Sequence, residues 1–247
     1  MADTLSEDPL LGGKVRLRQP REGYRAAIDP VLLAAATPAR PGERVLDLGT
    51  GSGAASLCLM ARVEDLDIVG LELDPETAAL ARANAALNAR DRFTVREGDV
   101  ARLPKDLRGF DRVIANPPYL ETARADPSSN ESRRRSNVDE KGLAAWIGAA
   151  LAAAAPRATI TLIQRADRLA EMLALLHGKA GAIVVVPLWP SEGMDAKRVI
   201  VEVMKGAKTP LRLHPGLVLH APGGRYAPTT EAILRGAAFD VTRASPA

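Results

Sequence analysis

From residue 42 to residue 204 the chain alternates short apolar runs with helical stretches, and that rhythm limits the folds open to it more than any other feature. The runs at 44–48, 68–73, 93–97, 110–115, 158–163, 182–187 and 198–204 are strand-length and rich in β-branched residues. Helical spacing occupies 76–87, 141–155 and 167–177, with shorter patterns at 31–36 and 228–235. Asp74-Pro75 and Asp29-Pro30 each carry the signal of an N-cap followed by proline at the first helical position. Strands that alternate with helices build a mostly parallel sheet covered on both faces, so an α/β, Rossmann-like domain is expected. The run at 93–97 alternates apolar and polar residues, which places it toward an edge. A chain of 247 residues suits one such domain with small appendages. The expected division is a basic N-terminal segment and opening helix at 1–41, a core at 42–205, and a C-terminal extension at 206–247 packed on the core.

The first run leads into Asp47-Leu48-Gly49-Thr50-Gly51-Ser52-Gly53. Glycines let a backbone turn tightly and approach a ligand closely, and open α/β sheets bind ligands at the carboxyl ends of their strands. A dinucleotide site carries G-x-G-x-x-G to seat a pyrophosphate. Here the spacing is Gly49-x-Gly51-x-Gly53, with Asp47 just ahead. That carboxylate would repel a pyrophosphate and suits a ligand with a cationic amino-acid end, held by Asp47, Gly49, Thr50, Gly51 and Gly53. The second run ends in Glu72-Leu73-Asp74. Glu72 is placed to accept both hydrogen bonds of a ribose diol, Leu73 belongs to the same wall, and Asp74 is placed to cap the next helix. After the third run, Asp99 is placed to accept from an adenine amino group and Val100 to pack on its ring. Gly98-Asp99 is also ordinary turn chemistry.

The fourth run ends in Asn116-Pro117-Pro118-Tyr119, again at the carboxyl edge of the sheet. The prolines fix the backbone and remove donors, leaving the Asn116 side-chain oxygen and the Pro117 carbonyl as paired acceptors. A planar NH2 group offers two donors. Gripping both turns the nitrogen lone pair toward a methyl donor, which is catalysis by orientation. Tyr119 is placed to stack on the flat group that bears the amine, with Pro118 beside it.

The segment from Asp47 to Gly53, with Glu72, Asp99 and Asn116 to Tyr119, resembles the class I S-adenosylmethionine-dependent methyltransferases that carry an N-P-P-Y box. The resemblance implies a seven-stranded, mostly parallel sheet with the last strand antiparallel, S-adenosylmethionine as cofactor, and methyl transfer to an amino or amide nitrogen. It implies that Asp47, Gly49 and Glu72 hold the cofactor and Asp99 its adenine, and that Asn116, Pro117 and Tyr119 hold the target. Within that class the chain is most similar to the bacterial tRNA(Val) adenine-N6 methyltransferases. The added likeness lies in Gln19, Gly23-Tyr24-Arg25 and Asp29-Pro30-Val31-Leu32-Leu33-Ala34 upstream, and in Pro187-Leu188-Trp189-Pro190 and Lys197-Arg198-Val199 downstream. It implies that Tyr24, Arg25 and Asp29 stand near the substrate mouth. The segment Glu131-Ser132-Arg133-Arg134-Arg135-Ser136 departs from that family's pattern.

Net charge is +3, but the basic residues cluster: Lys14, Arg16, Arg18, Arg21 and Arg25 in one segment, Arg133, Arg134 and Arg135 in another. Such patches suit an RNA backbone by counterion release, although charge alone does not separate that role from solvated loops. An RNA substrate is the expected partner, with the target base splayed from its stack. The polar stretch 120–140 is long enough for a lid or binding loop. The single cysteine, Cys58, sits in an apolar run and is expected to be a core thiol in a reducing cytoplasm. The acidic start of the chain lacks a secretory signal, and the alanine-rich stretch at 143–155 is too short to span a bilayer. The three histidines, at 177, 214 and 220, are scattered, so no metal is expected. Rival readings keep the box and change the target to a protein glutamine amide or another nucleobase, or treat the chain as a non-catalytic RNA-binding protein on the same fold. Nothing in the sequence sets the oligomeric state.

Overall fold

The structure, a computed structural model, describes residues 5–21, 28–119 and 142–241. It opens with a hairpin of β1 (Leu5–Leu10) and β2 (Val15–Pro20), turned by a 3-10 element at Leu11–Gly13. Next in the chain are α1 (Asp29–Ala36), β3 (Arg44–Leu48), α2 (Ala54–Arg62), β4 (Asp67–Glu72), α3 (Pro75–Leu87), β5 (Phe93–Glu97) and β6 (Phe110–Ala115). After these come α4 (Gly142–Ala153), β7 (Ala154–Arg165), α5 (Leu169–Leu176), β8 (Ala180–Ser191) and β9 (Arg198–Lys205). The tail adds β10 (Arg212–Leu213), β11 (Leu217–His220) and α6 (Pro228–Leu234).

The main sheet runs β10-β8-β9-β7-β6-β3-β4-β5, with β11 also beside β8. Every pair is parallel except those of β9, which is antiparallel to both β7 and β8. Strands β3 to β9 are the seven expected strands, the last of them reversed, and β5 lies at the edge. The two short tail strands extend the sheet past seven.

The strands are apolar on both faces because helices cover both. Val45, Ile68, Ile114, Ile163 and Ile200 face a cluster with α1, α2, α3 and α6, whereas Leu46, Leu48, Val113, Leu162 and Val201 face α4 and α5. Cys58 is fully buried there, and burial pushes its thiol up to about 12. Among the described residues no helix is long and apolar enough to cross a membrane.

Two local expectations need correction. The helical pattern at 141–155 ends earlier, because Ala154 pairs with Phe110 and opens β7. Asp74 caps α3 as expected, accepting from Thr77 N at 3.0 Å and Thr77 Oγ1 at 2.7 Å. Asp29 does not do the same: it is the first residue of α1, and its carboxylate is held by the Arg198 guanidinium and the Tyr119 hydroxyl instead of by helix amides. Unlike a helix amide, the guanidinium brings a full positive charge to the buried carboxylate.

The hairpin is fastened by two asparagines one turn apart, Asn84 on α3 and Asn88 at its C-cap. Asn84 Oδ1 accepts from Arg18 N and Asn84 Nδ2 donates to Arg18 O, both at 2.9 Å. Asn88 treats Arg16 alike, at 2.9 and 2.7 Å. Asn84 Nδ2 also donates to Ser52 O at 2.9 Å, so one buried amide ties the hairpin to the glycine loop. Asn84→Ala orphans three backbone groups and is expected to cost about 2–4 kcal/mol in a urea melt, against about 1 kcal/mol for the more exposed Asn88→Ala.

Candidate functional site

The chain leaves β3 toward β4 on one side and returns as β6 on the other, so the gap above β3 and β6 is a topological switch point. Leu48 is in register with both Leu71 and Ala115, which sets the glycine loop, Glu72 and Asn116 side by side. A cavity of about 520 Å³ opens there, within the roughly 300–1,000 Å³ usual for small-molecule sites.

The glycine loop forms its floor. Gly49 has φ +64°, and a Cβ there would lie 2.4 Å from the Trp146 ring. Gly53 has φ +85°, and its Cβ would meet Phe93 at 2.8 Å. Only glycine fits both backbone conformation and space. Gly49, Thr50 and Gly51 line the cavity, whereas Gly53 lies behind the loop at the start of α2.

Asp47 is 2% exposed and faces the cavity from the end of β3. One carboxylate oxygen accepts from Thr50 Oγ1 and from Ser56 Oγ, each at 2.7 Å. Burial raises its pKa to about 6; the two hydroxyl bonds pull the other way, and the nearby charge of Glu72 adds to the rise. Among the described residues no salt bridge engages this carboxylate, and a buried carboxylate of that kind favours a ligand that brings positive charge.

Glu72 is already engaged by three backbone amides: Gly51 N at 2.9 Å, Leu73 N at 2.8 Å and Asp74 N at 3.0 Å. Of about four acceptor positions on a carboxylate, one remains for a ligand hydroxyl while these bonds hold. Leu73, 46% exposed, stands at the rim. Asp99 lines the cavity together with Val100, and its Oδ1 accepts from Ala101 N at 2.9 Å, which fixes the turn after β5.

Asn116, Pro118 and Tyr119 line the opposite wall, with Pro117 buried behind them. The Asn116 Oδ1 atom is buried and makes no hydrogen bond among the described residues. An acceptor left this way is costly unless a ligand supplies the donor. The Tyr119 hydroxyl donates to Asp29 Oδ2 at 3.1 Å, which brings Asp29 to the site's edge without placing it on the cavity wall.

Tyr24, Arg25, Arg133, Arg134 and Arg135 lie outside the described residues. Within the described hairpin, Arg16 and Arg18 both bind Glu7, at 2.7 and 3.2 Å, so part of the basic segment's charge is met internally. Several residues on or behind the wall are not among those the sequence marks for the site. Trp146 reaches it from α4, Pro30 from α1 and Thr77 from α3, while Ser56 acts through Asp47. Ser56 stands one turn past the glycine loop, where a first-turn hydroxyl can reach back to it. Trp146 sits in an alanine-rich helix whose position is set only by tertiary packing. Among the described residues no group of three or more His, Cys, Asp or Glu side chains could hold a metal ion.

Comparison with known proteins agrees with this geometry. Residues 27–132 match the family described as Methyltransferase small domain. The tRNA1(Val) (adenine(37)-N6)-methyltransferase of Aeromonas salmonicida is 30% identical over 218 residues, covering 83% of this chain and 86% of that one. The protein of the same name from Salmonella arizonae is 36% identical over 130 residues, and the match spans only 51% of this chain and 53% of the relative. Among solved structures, a predicted O-methyltransferase from Agrobacterium tumefaciens, protein Atu636, superposes with a TM-score of 0.72 at 29% identity, covering 86% of this chain and 98% of that one. The switch-point cavity, the glycine loop and a match along most of both chains carry one conclusion: this chain belongs to the S-adenosylmethionine-dependent methyltransferases, in the family of the bacterial tRNA1(Val) (adenine(37)-N6)-methyltransferases.

Proposed function

We propose that the protein methylates the exocyclic N6 of an adenine in a tRNA, adenine 37 of tRNA1(Val) being the assignment that its relatives' names suggest. The observation that carries this reading is the buried, unpartnered Asn116 Oδ1 on the cavity wall. With the neighbouring Pro117 carbonyl it gives two acceptors for the two hydrogens of an amino group. A hydroxyl target brings one donor and would leave half of that pair unmet, which disfavours O-methylation. A tRNA substrate places the activity in the cytoplasm.

Asp47 would hold the cofactor's cationic amino-acid end, Glu72 a hydroxyl of its ribose, and Leu73, Asp99 and Val100 its adenine. S-adenosylmethionine supplies an electrophilic methyl carbon when bound. The chain's own residues do the rest. An adenine amine is a poor nucleophile because its lone pair is delocalised into the ring. Asn116 and Pro117 accept its hydrogens, favour a more tetrahedral nitrogen, and stabilise the positive charge that develops there. Tyr119 offers its ring as a stacking surface for the base, and Pro118 closes the mouth beside it. The apolar wall of Trp146, Pro30 and Val100 excludes water from the reacting groups. The basic segment from Lys14 to Arg25 and Arg133, Arg134 and Arg135 grip RNA phosphates.

The decisive variant is Asn116→Ala. Turnover on transcribed tRNA is expected to fall on the order of 10²–10³-fold, while calorimetry shows S-adenosylmethionine binding within a few-fold of wild type. Lost cofactor binding, or unchanged turnover, would reject the role given to Asn116.

The Asp47 carboxyl carries a pH signature. Its pKa rises from 3.8 to about 6 on folding, so between those values the cofactor-free fold binds more protons than the unfolded chain and loses stability as pH rises. A cationic ligand favours the ionised form. Cofactor affinity is therefore expected to strengthen as pH rises through about 6, by up to about tenfold per unit below it, and Asp47→Asn is expected to weaken binding and flatten that profile in a pH series of calorimetric titrations.

Trp146 gives an optical readout. The chain has two tryptophans, Trp146 and Trp189. Cofactor binding is expected to change fluorescence in Trp189→Phe but not in Trp146→Phe; the opposite pattern places the ligand elsewhere.

A further inference from the structure

We propose that Asp29 and Arg198 are a linked pair of positioning residues that fix the plane of the Tyr119 ring for the incoming base. The proposal deepens the reading above, on which it rests, and moves Asp29 from substrate contact to support. Three parts of the chain distant in sequence converge here: the start of α1, the start of β9 and the turn that follows β6. Tyr119 Oη donates to Asp29 Oδ2 at 3.1 Å, and the Arg198 guanidinium binds Asp29 Oδ1.

The burial pattern is what separates a device from a chance contact. Asp29 is 6% exposed, yet it gives up the capping role that its place beside Pro30 invites. A buried carboxylate needs a counter-charge, and Arg198, itself 27% exposed, meets that need from the rim. The arginine alone would neutralise the acid. The tyrosine bond adds nothing to neutralisation; what it does is hold the far end of a ring whose near end is carried by the proline-stiffened turn after β6. A ring held at both ends keeps one plane, so the entropy of orienting it is removed before the base arrives. Local rules are broken most often at functional sites, and the missing cap is such a break. Arg198 belongs to the Lys197-Arg198-Val199 stretch, for which the methyl-transfer chemistry itself has no use.

The test uses the full chain. Tyr119→Phe removes only the hydroxyl and keeps the stacking face. Steady-state methyl transfer to transcribed tRNA is expected to lose about tenfold in kcat/KM with Tyr119→Phe and a similar factor with Asp29→Ala, with calorimetric S-adenosylmethionine affinity unchanged. The double variant is expected to be no worse than the worse single one, because both remove the same bond. Losses that multiply, or a Tyr119→Phe enzyme equal to wild type, would overturn the proposal. A second readout needs no turnover. The chain has three tyrosines, and ring-labelled tyrosine NMR assigns the Tyr119 signal by its absence in Tyr119→Phe. Asp29→Ala and Arg198→Ala are each expected to shift that signal; no shift in either overturns the anchor. If the signal shifts but wild-type protein methylates no tRNA, the substrate reading fails and the anchor stands.

Discussion

The pairing of β3 with β6, Leu48 beside Ala115, fixes the spacing on which the whole site depends. Both strands are buried on both faces, and a slip of one residue would turn every side chain of a strand to the wrong layer. The register is therefore held by the core on either side of the sheet. The turns at the two strand ends inherit that precision: the glycine loop after one, the asparagine box after the other. A site built on strand ends in this way is more exact than one assembled from long loops.

Within that frame the electrostatics are asymmetric. One wall holds Asp47, raised by burial to about 6, and Glu72, knotted to three amides. The other holds uncharged acceptors, Asn116 foremost. A ligand that carries positive charge satisfies the first wall and a neutral amine satisfies the second. The two walls therefore differ in charge as well as in the residues that build them.

Much of this was legible in the sequence because parallel strands deliver their ends to one edge. Asp47 and Glu72 sit at the ends of recognisable apolar runs and Asp99 and Asn116 just past two others, so adjacency in space could be inferred from order in the chain. Residues that reach the site from elsewhere could not be placed this way. Trp146 and Arg198 arrive from a helix and from an antiparallel strand, and their positions depend on packing. Asp29 misled because the local signal for a cap was intact and a long-range pair won. The hairpin was hidden for a different reason. Val15 to Pro20 alternates strictly between buried and exposed, but its arginines drew attention to charge, and β1 contains Glu7, Asp8 and Pro9, which are poor strand formers. The tail strands β10 and β11 are too short for periodicity to register.

The asparagine clasp on α3 has an evolutionary consequence. It grips the main chain of β2, at Arg16 and Arg18, and ignores what those residues carry outward. Attachment and surface chemistry are therefore separate properties of the same strand. A descendant could exchange both arginines for residues suited to a different polymer, giving up their pairing with Glu7 but keeping the main-chain hold on the helix, whereas altering Asn84 would disturb the hairpin and the glycine loop together. The outer face is open to drift, and the helix beneath it is where selection must hold.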